Sequence, residues 1–193
     1  SIESRILGLS AGGDIGVDSL GAAAPLELDV RFFALKSGGD TYLNLKNVLY
    51  GTSAVPPSSQ PLKTGSVAGI TGDGDLSLTT AGDLDISGSV SVAGAIDLDV
   101  GQDFSLGPGD LESTGGNDIA VRAGKDITLI DGKIVSDGGT ISLEAGDTVQ
   151  DVFSTEASID AGDGLVILKG QSVGVLGSSN SLELSASQLA ANA

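Results

Sequence analysis

The acidic side chains are the groups in this chain with the greatest capacity for chemistry, because the sequence contains no His and no Cys. Catalytic sites built on Ser–His–Asp or Cys–His arrangements are therefore excluded. An enzyme would have to use paired acids, and acid sites that act on polysaccharides also need basic or aromatic groups to hold the sugar. The chain has three Arg and six aromatic residues, scattered along the sequence. We therefore predict no catalytic residues and no enzymatic activity.

Metal binding is the other use that acidic residues allow, and two patterns bear on it. The stretch 72–76 (GDGDL), with Asp73 and Asp75, resembles one unit of a calcium-binding nonapeptide repeat, but it does not recur nine residues later. Asp83, Asp103 and Asp126 follow one another at spacings of 20 and 23 residues. On a coil with that period, the three carboxylates stack and either accept corner N–H groups or share a cation. We predict solvated corner aspartates and no cofactor, with calcium as the alternative.

A small contact patch is the third candidate site. If the alternation of apolar and polar residues holds, Phe33 and Tyr42 point outward, and Tyr50 lies just before a Pro-rich segment that contains Pro56 and Pro57. Loops that leave a rigid scaffold are common binding elements. We expect these five residues to form the patch that meets a host or cell-surface ligand.

The net charge of −17 limits the choice of partner. Such a surface repels nucleic acid and anionic lipid, so neither is an expected partner. No apolar run approaches the ~20 residues that a membrane-spanning helix needs. We therefore predict no membrane insertion.

The elements that must position these residues are short strands. Apolar residues alternate with polar ones over three to five positions, which predicts strands with one buried face. The linkers between them are rich in Gly, Asp and Ser, which tolerate tight corners. The first inward residues recur about every 20 to 23 positions and form three columns: Leu76, Ile96 and Ile119; Leu84, Phe104 and Ile127; Val90, Leu111 and Ile134.

Strands so short bury too little as isolated hairpins, so each is expected to pair with the strand one period later. This arrangement is a parallel β-solenoid with three strands per turn. We predict one domain over 1–193, of about nine turns, with an excursion from the coil at about 51–65, where prolines interrupt the pattern. A β-sandwich is the alternative, with Asp131-Gly132 and Asp137-Gly138 as its hairpin turns.

The residues also resemble the repeats of filamentous haemagglutinin-type large exoproteins. The stretches that carry the resemblance are 12–16 (GGDIG), 25–28 (PLEL) and 38–45 (GGDTYLNL), in that order. Thr41 stands where the family has an apolar residue. Later units of the same type are 81–84 (AGDL), 123–127 (AGKDI) and 138–143 (GGTISL).

This resemblance implies a right-handed parallel β-helix that is secreted by a Gram-negative-type bacterium, usually by two-partner secretion, and remains extracellular or on the cell surface. It implies a role in cell adhesion, as an adhesin or its shaft. No export motif of the family is recognisable, so we expect a shaft segment. Expected partners are copies of itself or the rest of a longer fibre. The alternatives are a carbohydrate-active β-helix enzyme and a calcium-dependent structural module.

Overall fold

The chain forms an all-β parallel solenoid of about six turns, with about 23 residues per turn. The computed structural model describes residues 2–45, 66–152, 158–174 and 182–193, which contain strands and no helix. The strands are β1 (Ile2–Ser10), β2 (Leu26–Ser37), β3 (Thr41–Leu45), β4 (Ser66–Gly72), β5 (Leu76–Thr80), β6 (Leu84–Ile86), β7 (Val90–Val92), β8 (Ile96–Val100), β9 (Phe104–Leu106), β10 (Leu111–Ser113), β11 (Ile119–Ala123), β12 (Ile127–Leu129), β13 (Ile134–Ser136), β14 (Ile141–Ala145), β15 (Thr148–Asp151), β16 (Ile159–Lys169), β17 (Ser172–Val173) and β18 (Leu184–Asn192).

Each regular turn has three sides. The first side consists of β3, β5, β8, β11 and β14, the second of β6, β9, β12 and β15, and the third of β7, β10 and β13. Each strand pairs in parallel with its counterpart one turn away. The β-sandwich alternative is therefore wrong. Asp131-Gly132, for example, connects β12 and β13, which pair with strands of neighbouring turns.

The three predicted columns are confirmed by the register. Leu76 pairs with Ile96, and Ile96 pairs with Ile119. The other two columns pair in the same way, on the second side through Phe104 and on the third side through Leu111. Because each strand pairs in register with the strand one turn later, its apolar side chains stack on those of the neighbouring turn. The apolar side chains of every turn therefore point into the coil.

The core is a continuous stack of Leu, Ile and Val inside the coil. The inward residues of the central turns are at most 7 % exposed, while the residues between them are more exposed. Phe104 is fully buried within this stack. Because short strands bury little alone, burial between successive turns supplies most of their stability.

Strand β2 contradicts one prediction. Leu28 and Val30 face inward as expected, but Phe33 is 1 % exposed and belongs to the core. The reason is that β2 turns a corner: its residues 26–28 pair with β3 and its residues 32–37 pair with β4, so the strand changes side between Val30 and Phe33. A bend of this kind moves the apolar set by one position, so strict alternation from Leu26 fails.

The coil has about six turns rather than the expected nine, and a hairpin that leaves the coil accounts for part of the difference. Residues 17–25 form a hairpin that leaves the first side after Ile15, which pairs with Thr41, and returns at Leu26, which pairs with Leu43. The sequence analysis missed this hairpin. The predicted excursion at 51–65 lies outside the described residues.

The last described strand, β18, covers β16 along most of its length. Its residues are mostly exposed, and Leu189 is 56 % exposed. None of the side chains from Leu184 to Ala193 is charged. β18 therefore presents an uncharged edge on a strongly acidic protein.

The placement of Phe33 gives a direct test of the bend in β2. Replacing Phe33 by Ala should lower the free energy of unfolding by about 3–5 kcal/mol, because it removes a buried aromatic ring. Chemical denaturation measures the change. The control, Lys36→Ala, alters an exposed residue of the same strand and should change stability by no more than about 0.5 kcal/mol. If the two variants are equally stable, Phe33 points outward.

Candidate functional site

Aspartates occupy the corners of the coil in a fixed position, next to the first inward residue of a strand or bridge. The Oδ1 atom of each accepts a hydrogen bond from a backbone N–H one turn later. The set comprises Asp14, Asp40, Asp75 and Asp118 on the first side, Asp83, Asp103 and Asp126 on the second side, and Asp110 on the third side. We call them the corner aspartates.

On the second side the structure brings together three predicted site residues. Asp83 accepts from the N–H of Asp103 at 3.2 Å, Asp103 from that of Asp126 at 3.2 Å, and Asp126 from that of Thr148 at 2.9 Å. The same junction carries a bond in the opposite sense, from the N–H of Leu84 to the carbonyl of Asp103 at 2.9 Å. The carboxylate therefore replaces a backbone acceptor where the chain turns.

This stack lines a shallow groove of about 240 Å³ on the second side. The groove also contains the outward residues Asp85, Ser105 and Thr128, which sequence reasoning did not single out. The sequence spacing could have identified them, because each lies two residues after a corner aspartate in successive turns. The groove is acidic, but each corner carboxylate already uses one oxygen in a hydrogen bond to the next turn.

The first side carries a second stack, which includes Asp75. Asp14 accepts from the N–H of Asp40 at 3.0 Å, Asp40 from that of Asp75 at 2.9 Å, and Asp75 from that of Ala95 at 2.7 Å. Asp75 thus lies on a different side from the Asp83 stack. Asp73 lies in the preceding corner, is exposed, and belongs to neither stack.

A glycine lies beside each carboxylate of the stack formed by Asp14, Asp40 and Asp75. A Cβ atom on Gly74 would lie 2.3 Å from Oδ1 of Asp40 and 2.6 Å from the backbone nitrogen of the same residue. Real Cβ atoms do not approach other heavy atoms so closely. The Gly-Asp dipeptide is therefore a structural unit here, and its resemblance to a calcium-binding repeat follows from the packing of the corner.

Tyr42 lies on the outer surface of the first side, as predicted, and is partly buried. Partial burial raises the pKa of its phenol, and the nearby carboxylates of Asp40, Asp75 and Asp14 raise it further. These carboxylates favour the protonated form of the phenol, so Tyr42 is neutral at neutral pH, as an unperturbed tyrosine also is. Tyr42 is therefore a polar, hydrogen-bonding group beside the first-side stack.

The predicted contact patch does not form as proposed. Phe33 is buried in the core, so it cannot meet a partner together with Tyr42. Tyr50, Pro56 and Pro57 lie outside the described residues. Of the five residues, the structure therefore places Tyr42 alone at the described surface.

The outer face of the first side carries charges of alternating sign, which the sequence analysis missed. Arg122 forms an ion pair with Asp97, and Lys169 approaches Glu144 at 3.5 Å. The hydrogen bond that Arg122 donates to the carboxylate of Asp97 is the main cause that raises the pKa of Arg122. The side chains of both pairs are about half exposed, which makes each pair a weak contribution to stability. They lie on an open sheet face rather than in a cleft that could hold a sugar chain.

A larger groove, of about 550 Å³, lies where the first side ends and the chain turns toward the second. It is lined by Asn44, Leu45, Thr79, Thr80, Ala81, Asp99 and Gly101. Its lining is mostly apolar, and it contains a single carboxylate. We call it the corner groove.

Within the described ranges, no three acidic side chains are arranged to hold a metal ion. The same ranges contain no helix with the length and apolarity of a membrane span. Comparisons with protein-family models, with curated proteins and with solved structures find no match to this chain.

The corner aspartates can be tested with a matched pair of variants. Asp75→Ala should lower the free energy of unfolding by about 1–2 kcal/mol, because it leaves the N–H of Ala95 without its acceptor. Asp75→Asn should cost less, since an amide oxygen also accepts. Asp73→Ala removes the same charge without removing such a bond, and it should change stability by no more than about 0.5 kcal/mol. Equal effects of Asp75→Ala and Asp73→Ala in urea denaturation would contradict the role of Asp75.

Thermal melting in calcium and in chelator tests the prediction that no cofactor is bound. If the second-side stack serves only the backbone, excess calcium and excess chelator should give melting temperatures within about 1 °C of each other. If calcium bound a site in the folded state, a concentration about a hundred times the dissociation constant would instead stabilise that state by about 2.7 kcal/mol. A larger rise in melting temperature with calcium, which Asp103→Asn abolishes, would identify a calcium-dependent module instead.

Proposed function

We propose that this chain is a shaft segment of a secreted bacterial adhesin or extracellular fibre. The observation that supports this most is the unbroken parallel stacking along the axis. On the first side, the register continues from Thr41 through Leu76, Ile96, Ile119 and Ile141 to Val166 without a change of fold. With roughly 4.8 Å per turn, about six turns extend roughly 30 Å.

The surface of the coil also suits a spacer. Most of its outward positions are small or polar, and carboxylates predominate among the charged groups. A net charge of −17 keeps neighbouring shafts apart at low ionic strength. A spacer of this kind holds a distant binding element away from the cell and keeps its own sides from aggregating.

The adhesin and secretion parts of the proposal depend on the resemblance of 12–45 to filamentous haemagglutinin-type repeats. In this proposal, the solenoid displays loops to a host or cell-surface ligand. The edge of β18 accepts a further parallel strand, either from the rest of a longer fibre or from another copy. Exposed strand edges pair readily, and β18 carries no charge that would oppose it.

Location on the source organism tests this function. Antibodies raised against this chain should label intact, unpermeabilised cells or the fibres that extend from them in immunogold electron microscopy. The control antibody recognises a cytoplasmic protein and should label only permeabilised cells. If antibodies against this chain also require permeabilised cells, the proposal of a secreted shaft is wrong.

A further inference from the structure

The outer face of the first side carries a column of charged residues, one from each of four successive turns. The register pairs Asp99 of β8 with Arg122 of β11. It then pairs Arg122 with Glu144 of β14, and Glu144 with Lys169 of β16. All four residues are exposed, and their charges along the axis are negative, positive, negative and positive. We call this column the charge ladder.

The charge ladder is flanked by an uncharged polar residue at each end. Thr79 of β5 pairs with Asp99, and Asn192 of β18 pairs with Lys169. Over these six strands the column therefore reads polar, negative, positive, negative, positive, polar. Such an order is complementary to its own reverse, because every acid then meets a base and the two uncharged ends meet each other.

The stability of the single chain does not explain the charge ladder. Arg122 bonds to Asp97 in the neighbouring column, and Lys169 approaches Glu144 at 3.5 Å. These four side chains remain 50–54 % exposed, so each pair contributes little to the free energy of unfolding. About half of each charged side chain is therefore accessible to groups from outside the chain.

The face that bears the charge ladder is nearly neutral on a strongly acidic protein. On the first side from β5 to β18, the outward charged residues are three acids and two bases: Asp97, Asp99, Glu144, Arg122 and Lys169. The face thus has a net charge of −1, whereas the whole chain has −17. Repulsion between two copies is therefore weakest when these faces meet.

We propose that two copies of this chain pair through their first sides, with the axes of their coils pointing in opposite directions. A twofold axis that runs along the strands, midway between β11 and β14, generates this pair. Asp99 of one copy then faces Lys169 of the second copy, and Arg122 faces Glu144. Each of these pairings occurs twice, so all eight charges of the two ladders meet an opposite charge.

Copies that point in the same direction gain no such set of pairs. Their twofold axis runs along the coil and reverses the strand direction, so each ladder faces the neighbouring outward column, which contains Asp97, Ala120, Ser142 and Ile167. In register, Asp97 and Asp99 of one copy then face the same two carboxylates of the second copy. Pairing is therefore selective for opposite directions, and shafts that project in the same direction stay apart.

The size of the shared face suits a reversible contact. Six strands overlap, so the face measures roughly 29 Å along the axis and roughly 17 Å along the strands. Two such faces bury on the order of 1,000 Å², which is the lower limit for a specific interface. The hairpin at 17–25 does not obstruct the contact. It leaves the first side two turns before β5, and β5 faces β18 of the second copy.

Analytical ultracentrifugation of the purified chain tests the proposal. The chain should form a reversible dimer at about 0.15 M salt, where a Debye length of about 8 Å screens distant carboxylates more than groups in contact. Arg122→Glu should lower the association constant about 10- to 100-fold, because it brings like charges together at two symmetric positions. Lys36→Glu is the matched control: it makes the same change of charge on the third side and should leave the dimer unchanged.

Exchange of charges gives the sharpest comparison. Glu144→Arg alone should weaken the dimer as Arg122→Glu does. A mixture of the two variants should pair again, because every reversed charge then faces an opposite one on the other chain. The double variant Arg122→Glu/Glu144→Arg should pair with itself for the same reason. Recovery in the mixture also shows that the single variants are folded, which circular dichroism checks independently.

Directed crosslinking identifies the relative direction of the two copies, because the natural chain has no cysteine. Thr79 and Asn192 lie five turns apart in one coil but face each other in the proposed pair. A mixture of Thr79→Cys chains and Asn192→Cys chains should therefore form disulfides between unlike chains.

Four outcomes overturn the proposal: a monomer under all these conditions, an equal loss of association with Lys36→Glu, no recovery in the mixture of Arg122→Glu and Glu144→Arg, or crosslinks between like chains only. None of them bears on the proposed shaft function, which is tested by labelling of intact cells and does not depend on lateral pairing.

Discussion

The structure depends on one constraint: each residue must lie directly above its counterpart one turn earlier. Parallel pairing satisfies the backbone along the strands, and the same register stacks the apolar side chains within the coil. At the corners the backbone does not supply a carbonyl acceptor for every N–H group of the next turn. The corner aspartates provide the missing acceptor. The acidic character of the chain is therefore in part a consequence of its fold, since eight of its carboxylates have this structural role.

This role changes how the acidic motifs are interpreted. The pattern Gly-Asp followed by an apolar residue suggested calcium when taken alone, and at 72–76 it resembles a known calcium-binding unit. In the structure, the glycine leaves room for the carboxylate of the turn before, and the aspartate reaches to the turn after. Packing and hydrogen bonding account for both residues without a ligand. The hydrogen-bonding part of this argument also applies to the stack of Asp83, Asp103 and Asp126, where Gln102 and Lys125 stand in place of the glycine before the last two.

Much of the regular coil could be predicted from the sequence, because the spacing of Leu, Ile and Val indicates its period directly. The columns through Ile96, Phe104 and Leu111 needed only alternation and counting. Phe33 could not be placed in this way, since its orientation depends on where β2 bends, and no local residue marks that bend. The pairing of Arg122 with Asp97 was missed for a different reason: outward residues of neighbouring turns meet only once the register is known.

The hairpin at 17–25 was hidden because its residues resemble an irregular linker. Only the pairing of Ile15 with Thr41 and of Leu26 with Leu43 reveals that the chain leaves the coil and returns to the same place. The regular turns offer a uniform surface, and this hairpin is where the outline of the described coil departs from it. The corner groove likewise arises where small residues meet at the end of the first side.

The direction in which the corner carboxylates point has an evolutionary consequence. Most turns carry the acceptor that the next turn uses, but Ala95, Lys133, Thr140 and Thr148 receive such a bond without passing it on. A duplicated turn would carry its own corner aspartate, and the next turn would supply the backbone N–H that this carboxylate accepts. Tandem copying of the gene segment for a turn that carries a corner aspartate would therefore preserve this bond, which gives a solenoid of this kind a simple route to greater length.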